Sequence, residues 1–363
     1  MNKIKIVHFV NGMNNGGVEA VILNYFSNID RSNYDLHIVT QGDNDDKCVI
    51  KFKNLGFKVH VVTRKKESLI KNLREIYKIL KEEKFDILHT HMTVTNVFPL
   101  MLGWLAGVKV RINHSHLAIK DMGIMDKIYC KLSLLFTTHK FACGREAAKT
   151  LFKNMEDVII LKNAIDLEKF QYNDEIRKEM RRELNINNEL VLCNIGRLTA
   201  QKNQMFLIEI MNQLVKHDQN AKLLIIGFGE LEQQLKQKVA EYSLADKISF
   251  LGTRDDIEKI YQCSDIFVLP SLKEGLPLVC IESQTSGLKT IVSDNVTDEV
   301  EITPIIKYLP ITDTELWVKE ILDLKEDYER KDYKEEIRKN GYDIKLEAKR
   351  LDDLYRKMLE EKK

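Results

Sequence analysis

Short apolar runs rich in valine and isoleucine recur along the first half of the chain, at residues 4–9, 36–39, 59–62, 87–89, 110–112 and 158–161. Several are apolar without alternation, the pattern of strands covered on both faces. Between them the apolar spacing changes to three and four. The clearest stretch places Leu69, Leu73, Ile76, Tyr77 and Leu80 on one helix face, with Lys, Arg and Glu elsewhere. Strand–helix alternation through this half predicts right-handed βαβ units and a parallel sheet. The pattern then restarts, with strand-like runs at 190–195, 223–226, 248–250, 266–269 and 290–292 and helical stretches such as 206–215 and 231–242. The expected fold is α/β: two doubly wound, Rossmann-like parallel-sheet domains. One spans residues 1–165 and the other 166–344, with a boundary near 163–170. A C-terminal helix over 345–363 could pack back on the N-terminal domain. Such sheets bind ligands beyond the carboxyl ends of their strands, and two facing domains would make a cleft. Residues that follow strands are therefore the candidates for chemistry.

A chain of 363 residues suits two domains, and 44% hydrophobic residues fill two cores, which excludes disorder and disulfide-stapled mini-folds. The longest apolar run, 97–108, is interrupted by Pro99 and is too short to span a bilayer. Residues 1–6 lead straight into a strand-like run without a signal-peptide core. Six cysteines, at 48, 130, 143, 193, 263 and 280, show no CxxC spacing and read as small buried hydrophobes in a reducing compartment. The expectation is a soluble, cytoplasmic protein. The net charge of +1 hides an asymmetry: residues 1–165 hold 25 Lys and Arg against 16 Asp and Glu, the remainder 31 against 39. Either surface charge fluctuates by chance, or the two halves meet different partners. The expected basic helix with Arg64, Lys65, Lys66, Lys71, Arg74, Lys78, Lys81 and Lys84 suits an anionic membrane surface. Glu67, Glu75, Glu82 and Glu83 dilute it, so the expected association is weak and peripheral, on the inner face of the cell membrane. Nothing resembles a nucleic-acid motif.

After the first strand come Gly12, Gly16, Gly17 and Glu19, then a helix-like run. Glycines at a strand-to-helix turn let a backbone approach a ligand and offer N–H groups to an anion; the plain alternative is a tight turn. No acidic residue ends the second strand, so a dinucleotide fingerprint fails. His89/His91 and His114/His116 form two His-x-His pairs at strand ends. A metal is one reading, but histidines 8, 37, 60, 139 and 217 do not complete a ligand set convincingly. A neutral histidine hydrogen-bonded to a polar ligand fits better, and a buried structural histidine stays open for each. In the second half, Arg197 and Lys202 follow a strand and precede a helix, where two cations match a diphosphate without a metal. Glu274-Gly275-Leu276-Pro277 and Glu282 follow a later strand. Their two carboxylates, eight positions apart, can reach different parts of one ligand.

These residues resemble the retaining nucleotide-sugar glycosyltransferases of family 4, with the two-domain GT-B fold. The likeness spans nearly the whole chain. Its most specific part is the E-x7-E element Glu274 to Glu282, backed by Gly196-Arg197-Leu198 with Lys202 and by Gly16-Gly17-Val18-Glu19. Asn163-Ala164-Ile165-Asp166 departs from the family's usual Asn-Gly-Ile/Val-Asp only in the linker. His-Thr-His near 90 and Asn-His-Ser-His near 115 look like the branch that builds bacterial exopolysaccharide and capsule. The resemblance implies a sugar-nucleotide donor, first of all UDP-linked, and a polysaccharide, oligosaccharide or lipid-linked acceptor. It implies Glu282 on the ribose hydroxyls, Arg197 and Lys202 on the diphosphate, and backbone of Gly275, Leu276 and Pro277 beside it, Pro277 having no N–H to give. Glu274 would contact the transferred sugar. Gly16 and Gly17 would close on phosphates or acceptor, and His114, with His116 as substitute, would sit near the anomeric centre. Transfer would retain configuration without cofactor or metal, the leaving diphosphate assisting acceptor deprotonation. The rival readings are a sugar-nucleotide epimerase or phosphorylase of the same fold, and a non-catalytic sugar-nucleotide-binding protein.

Overall fold

The computed structural model describes residues 3–14, 16–42, 44–119, 121–326 and 329–361. Asn15, in the glycine-rich loop singled out above, and Lys362 and Lys363 of the C-terminal tail lie outside them. The chain forms two compact units, residues 1–164 with 343–363, and Ile165–Tyr342.

The first unit is built on seven parallel strands: β1 (Ile4–Phe9), β2 (Tyr34–Gln41), β3 (Lys58–Val62), β4 (Ile87–Thr90), β5 (Val110–Ser115), β6 (His139–Ala142) and β7 (Val158–Ile160). Their order across the sheet is β3-β2-β1-β4-β5-β6-β7. The direction of winding reverses between β1 and β4, and that switch point opens a crevice at the strands' carboxyl ends. Helix Ile344–Glu360 packs on helix Gly17–Asn28 and buries Ile344, Ala348, Leu351, Tyr355 and Met358 in the core of this unit. Its polar bonds are specific: Tyr355 Oη lies 2.8 Å from His89 Nδ1, and Tyr34 Oη donates to Asp352 at 2.5 Å.

The second unit holds six parallel strands, β8 (Leu190–Ile195), β9 (Ala221–Ile226), β10 (Ile248–Gly252), β11 (Ile266–Leu269), β12 (Lys289–Ser293) and β13 (Ile306–Leu309), in the order β10-β9-β8-β11-β12-β13. Its switch point lies between β8 and β11. Both of those strands are buried along their whole length, which explains why β11 is apolar throughout and β8 apolar but for Asn194.

Strands β6 and β13 were not among the expected runs. His139-Lys140 and Lys307 break their apolar character, and each is only four residues long. The basic stretch also differs from expectation. Arg64, Lys65 and Lys66 are not helical. They lie in the loop after β3, and helix Leu69–Glu83 starts only at the Ser68 cap, whose side chain accepts from the Lys71 N–H. On that helix, Lys71 and Lys78 stand about 4 Å from Glu75 and Glu82 one turn on, which mutes its charge. All six cysteines are buried. Among the described residues, no helix is long and apolar enough to cross a membrane.

Candidate functional site

At the switch point of the second unit, the loops after β8 and β11 are stitched together. Leu272 N–H donates to the Gln201 carbonyl at 2.8 Å, Gln201 Nε2 to the Lys273 carbonyl at 2.8 Å, and Asn203 Nδ2 to the Pro270 carbonyl at 3.1 Å. These bonds set Lys202 against Glu274, Nζ to Oε1 2.5 Å, both side chains mostly buried. The Lys202 stem lies over Gly196, where a Cβ would stand 3.2 Å from its Cε. Arg197, in the same loop, is exposed. Its carbonyl accepts from Gln204 Nε2 at 3.0 Å.

The loop after β9 carries a signal the sequence reading passed over. Gly227 has φ +137°, and a Cβ there would meet the Gly196 carbonyl at 2.0 Å; one at Gly229 would meet the Leu198 carbonyl at 2.3 Å. Only glycine lets this loop lie flush against the Arg197 loop. Leu198 N–H then donates to the Phe228 carbonyl at 2.9 Å.

Gly275, Leu276 and Pro277 lead into helix Leu278–Thr285, with Pro277 at its N-cap and no side-chain cap. Glu282 projects from this helix. Its Oε2 accepts from Tyr261 Oη at 2.9 Å, and Tyr261 is itself buried. Burial pushes the Glu282 carboxyl up to about 7, against the Tyr261 hydrogen bond that favours its anion. Burial pushes the Cys280 thiol up, with the Glu274 and Glu282 charges adding to that shift and Lys202 opposing it. Their chemistry is that of an anion- and hydroxyl-binding site: cations at a switch point and a carboxylate acceptor behind them. Tyr261 was invisible in the sequence, because nothing in its spacing ties it to Glu282.

In the first unit, Gly16 caps helix Gly17–Asn28, but the Glu19 carboxyl already occupies that end. It is hydrogen-bonded by backbone at Asn14, Gly16 and Glu19, and burial raises its pKa. A Cβ on Gly17 would meet nothing within 4 Å.

The histidines form a larger group than expected. His8 and His89 are register partners on β1 and β4. His8 Nδ1 stands 2.9 Å from His91 Nε2, and His91 Nδ1 stands 2.9 Å from His116 Nε2. His89 Nε2 stands 3.0 Å from His114 Nδ1, with Tyr355 at its far side. His8, set aside above as not completing a ligand set convincingly, thus stands beside His89 and His91. The ligand nitrogens of His8, His89 and His91, and of His91, His114 and His116, lie within 4.8 Å of one another, spacing that a metal ion could also bridge. Strand register brings them together, and register is not visible along one strand. Burial holds His8 down to about 3 and His116 to about 4, and His89, His91 and His114 also well below the usual range. All five are neutral, so each hydrogen bond has one donor and one acceptor nitrogen. His114 is buried and its Nε2 has no hydrogen-bond partner among the described residues; His116 is partly exposed. Thr93, at φ +51°, is a β-branched residue held in the left-handed region beside His116, whose N–H reaches Thr93 Oγ1 at 3.4 Å.

Comparison with known proteins identifies the family. Residues 176–343 match the family model of glycosyl transferases group 1, and residues 15–169 match that of Glycosyltransferase Family 4. EpsF of Bacillus subtilis (strain 168) is 31% identical over 314 residues, 82% of this chain and 81% of that protein. The UDP-Gal:alpha-D-GlcNAc-diphosphoundecaprenol alpha-1,3-galactosyltransferase of Escherichia coli is 31% identical over 315 residues, 81% of this chain and 80% of that enzyme. The Anabaena protein HepE, solved in complex with UDP, superposes with a TM-score of 0.81 at 15% identity, covering 97% of this chain and 99% of that one.

Proposed function

The chain belongs to the group 1, family 4 glycosyltransferases, and from that premise we propose that it moves a sugar from a UDP-sugar to a lipid-linked or oligosaccharide acceptor, with retention of configuration, in bacterial exopolysaccharide or capsule assembly. The observation that carries this reading is the Lys202–Glu274 pair at the switch point of the second unit, with Glu282 on the helix that follows. Glu282, as its anion, accepts the two ribose hydroxyls. Arg197 and Lys202 match the two negative charges of the diphosphate, which is why no divalent metal or other cofactor has a part in the step. The N–H groups of Gly275 and Leu276 face the same anion, and Pro277 only shapes the turn. Glu274 holds the transferred sugar, and Lys202 exchanges its carboxylate partner for phosphate when donor arrives. His114, through the unpartnered Nε2, is assigned to the anomeric centre, and Gly16 and Gly17 to the acceptor side. A diphosphate is already a stabilised leaving group, so no second acid is needed, unlike the carboxylate pair of a hydrolase. The relatives above are named as glycosyltransferases or solved with a nucleotide, which does not favour an epimerase, a phosphorylase or a non-catalytic binder.

A lipid-linked acceptor also calls for contact with an anionic membrane surface. The feature supporting it best is helix Ile124–Phe136, not the basic stretch read from sequence. Ile124, Met125, Ile128, Leu132 and Leu135 are exposed on it, with Lys127 and Lys131 exposed among them.

Calorimetric titration with UDP-, GDP- and ADP-sugars tests the donor assignment. UDP-sugar should bind, and Glu282→Ala should weaken it about 10- to 100-fold, the cost of a charge-assisted hydrogen bond. Glu274→Ala should keep most of the binding and lose turnover. Unchanged donor binding by Glu282→Ala removes that residue from the site.

A further inference from the structure

The loops that follow β1, β2 and β3 enclose a cavity of about 410 Å³ at the carboxyl edge of the first sheet. Its lining is Asn11, Gly12, Asn14, Gln41 and three consecutive cations, Arg64, Lys65 and Lys66; among the described residues, no carboxylate lines it. The basin is built, not incidental. Gln41 Oε1 receives the Lys65 backbone N–H at 3.4 Å while Gln41 Nε2 donates to Asn11 Oδ1 at 3.3 Å, so one side chain ties all three loops together. Asn44 Oδ1 accepts from the Met13 N–H at 2.9 Å and from Thr40 Oγ1 at 2.7 Å, holding the Asn11–Asn14 turn to the end of β2. The Lys65 ammonium is buried, lies 5.4 Å from the centre of the Phe98 ring, and has no hydrogen-bond partner among the described residues. Burial lowers its pKa to about 8, an energetic cost that an anion beside it would relieve. The exposed Glu67 stands 4.0 Å from Arg64.

We propose that this basin binds the diphosphate of the acceptor, a prenyl-type diphosphate ester carrying the sugar to be extended. The inference rests on the function proposed above and moves the acceptor's phosphates away from the Gly16–Gly17 turn, whose helix end the Glu19 carboxyl already fills. Three cations against two or three negative charges favour a diphosphate over a single phosphate, and Asn11, Asn14 and Gln41 supply neutral amide donors around it.

The test is calorimetric titration of inorganic pyrophosphate into the full-length protein saturated with UDP, which keeps pyrophosphate out of the donor site. Pyrophosphate should still bind, orthophosphate at least tenfold more weakly. Lys65→Met and Lys66→Met should each weaken pyrophosphate about tenfold or more, with UDP affinity unchanged. Lys66 is exposed, so its variant keeps the test decisive if Lys65→Met does not fold. Absence of pyrophosphate binding, or wild-type affinity in the folded variants, overturns the proposal. A short prenyl diphosphate binding more tightly than pyrophosphate supports a lipid-linked ligand, and a preference for free pyrophosphate overturns that source. Failure of UDP to bind would instead refute the donor assignment, and the two lysine variants would still read out the basin.

Discussion

Lowering the pH through neutrality is expected to strip donor affinity from the protein, because the group assigned to the ribose hydroxyls titrates there. Burial pushes Glu282 up to about 7, and only the carboxylate form accepts both hydroxyls. Apparent Kd rises as the competent fraction falls, so relative to pH 8.5 it should be about twofold weaker at pH 7 and about tenfold weaker at pH 6. The assay is calorimetry with an intact UDP-sugar between pH 5.5 and 8.5. Free UDP is unsuitable, since its terminal phosphate itself titrates near ~6. Glu282→Gln should bind weakly and with a flat profile. Tyr261→Phe removes a hydrogen bond that favours the anion, so the midpoint should move upward. Stability has the opposite dependence on pH. The folded pKa lies above the ordinary carboxylate value of 4.5, so the folded state holds a proton that the unfolded chain releases. The contribution is full below 4.5 and is lost as pH rises through about 7, on the order of 3 kcal/mol without donor. A flat wild-type binding profile, or the wild-type slope persisting in Glu282→Gln, would refute the assignment.

Four further outcomes are expected. Lys202→Met should cost the second unit about 3 kcal/mol by leaving the Glu274 carboxylate mostly buried and unpaired; adding Glu274→Gln should restore stability in chemical denaturation but not donor affinity. Tyr355→Phe should lower the stability of the first unit by about 1–3 kcal/mol, since His89 Nδ1 loses its partner inside the core, and deletion of 343–363 should unfold that unit in circular dichroism because it uncovers Leu351, Tyr355 and Met358. Histidines 8, 89, 91, 114 and 116 have depressed folded pKa values, so the unfolded chain takes up their protons first; stability should be full above about 6.5 and fall below it by up to about 1.4 kcal/mol per pH unit per histidine. Denaturation midpoints that stay level from pH 7 to pH 5 would show that the five are not buried as a group.

The fold was legible where strands are covered on both faces. The runs at 4–9, 190–195 and 266–269 coincide with β1, β8 and β11, because mostly buried parallel strands are predominantly apolar, with Lys5, His8 and Asn194 as their polar positions. Edge-side β6 and β13 escaped, since lysines and a histidine on four-residue strands erase that signal. In the candidate site, strand ends and glycine turns point to Arg197, Lys202, Glu274 and Glu282 from sequence alone. What joins them does not show there. The Lys202–Glu274 pair spans 72 positions and Tyr261–Glu282 spans 21, and both depend on which strands become neighbours. The histidine cluster is the same case: His8 meets His89 through register, 81 residues apart. The cationic basin escaped for another reason. Its lysines extend a basic helix pattern, and only the Ser68 cap separates them from it.

The central claim is that this chain transfers a sugar from a UDP-sugar with retention of configuration and without a divalent metal. Proton NMR of the reaction tests it in one experiment, with the full-length protein, a UDP-α-sugar, a short prenyl-diphosphate-linked sugar as acceptor, and chelator present throughout. The account predicts a new α-anomeric signal on the acceptor, growing in step with loss of the donor signal and absent with Glu274→Ala. A β-linked product, free sugar released without an acceptor product, or transfer that stops in chelator and returns with added magnesium or manganese would contradict it.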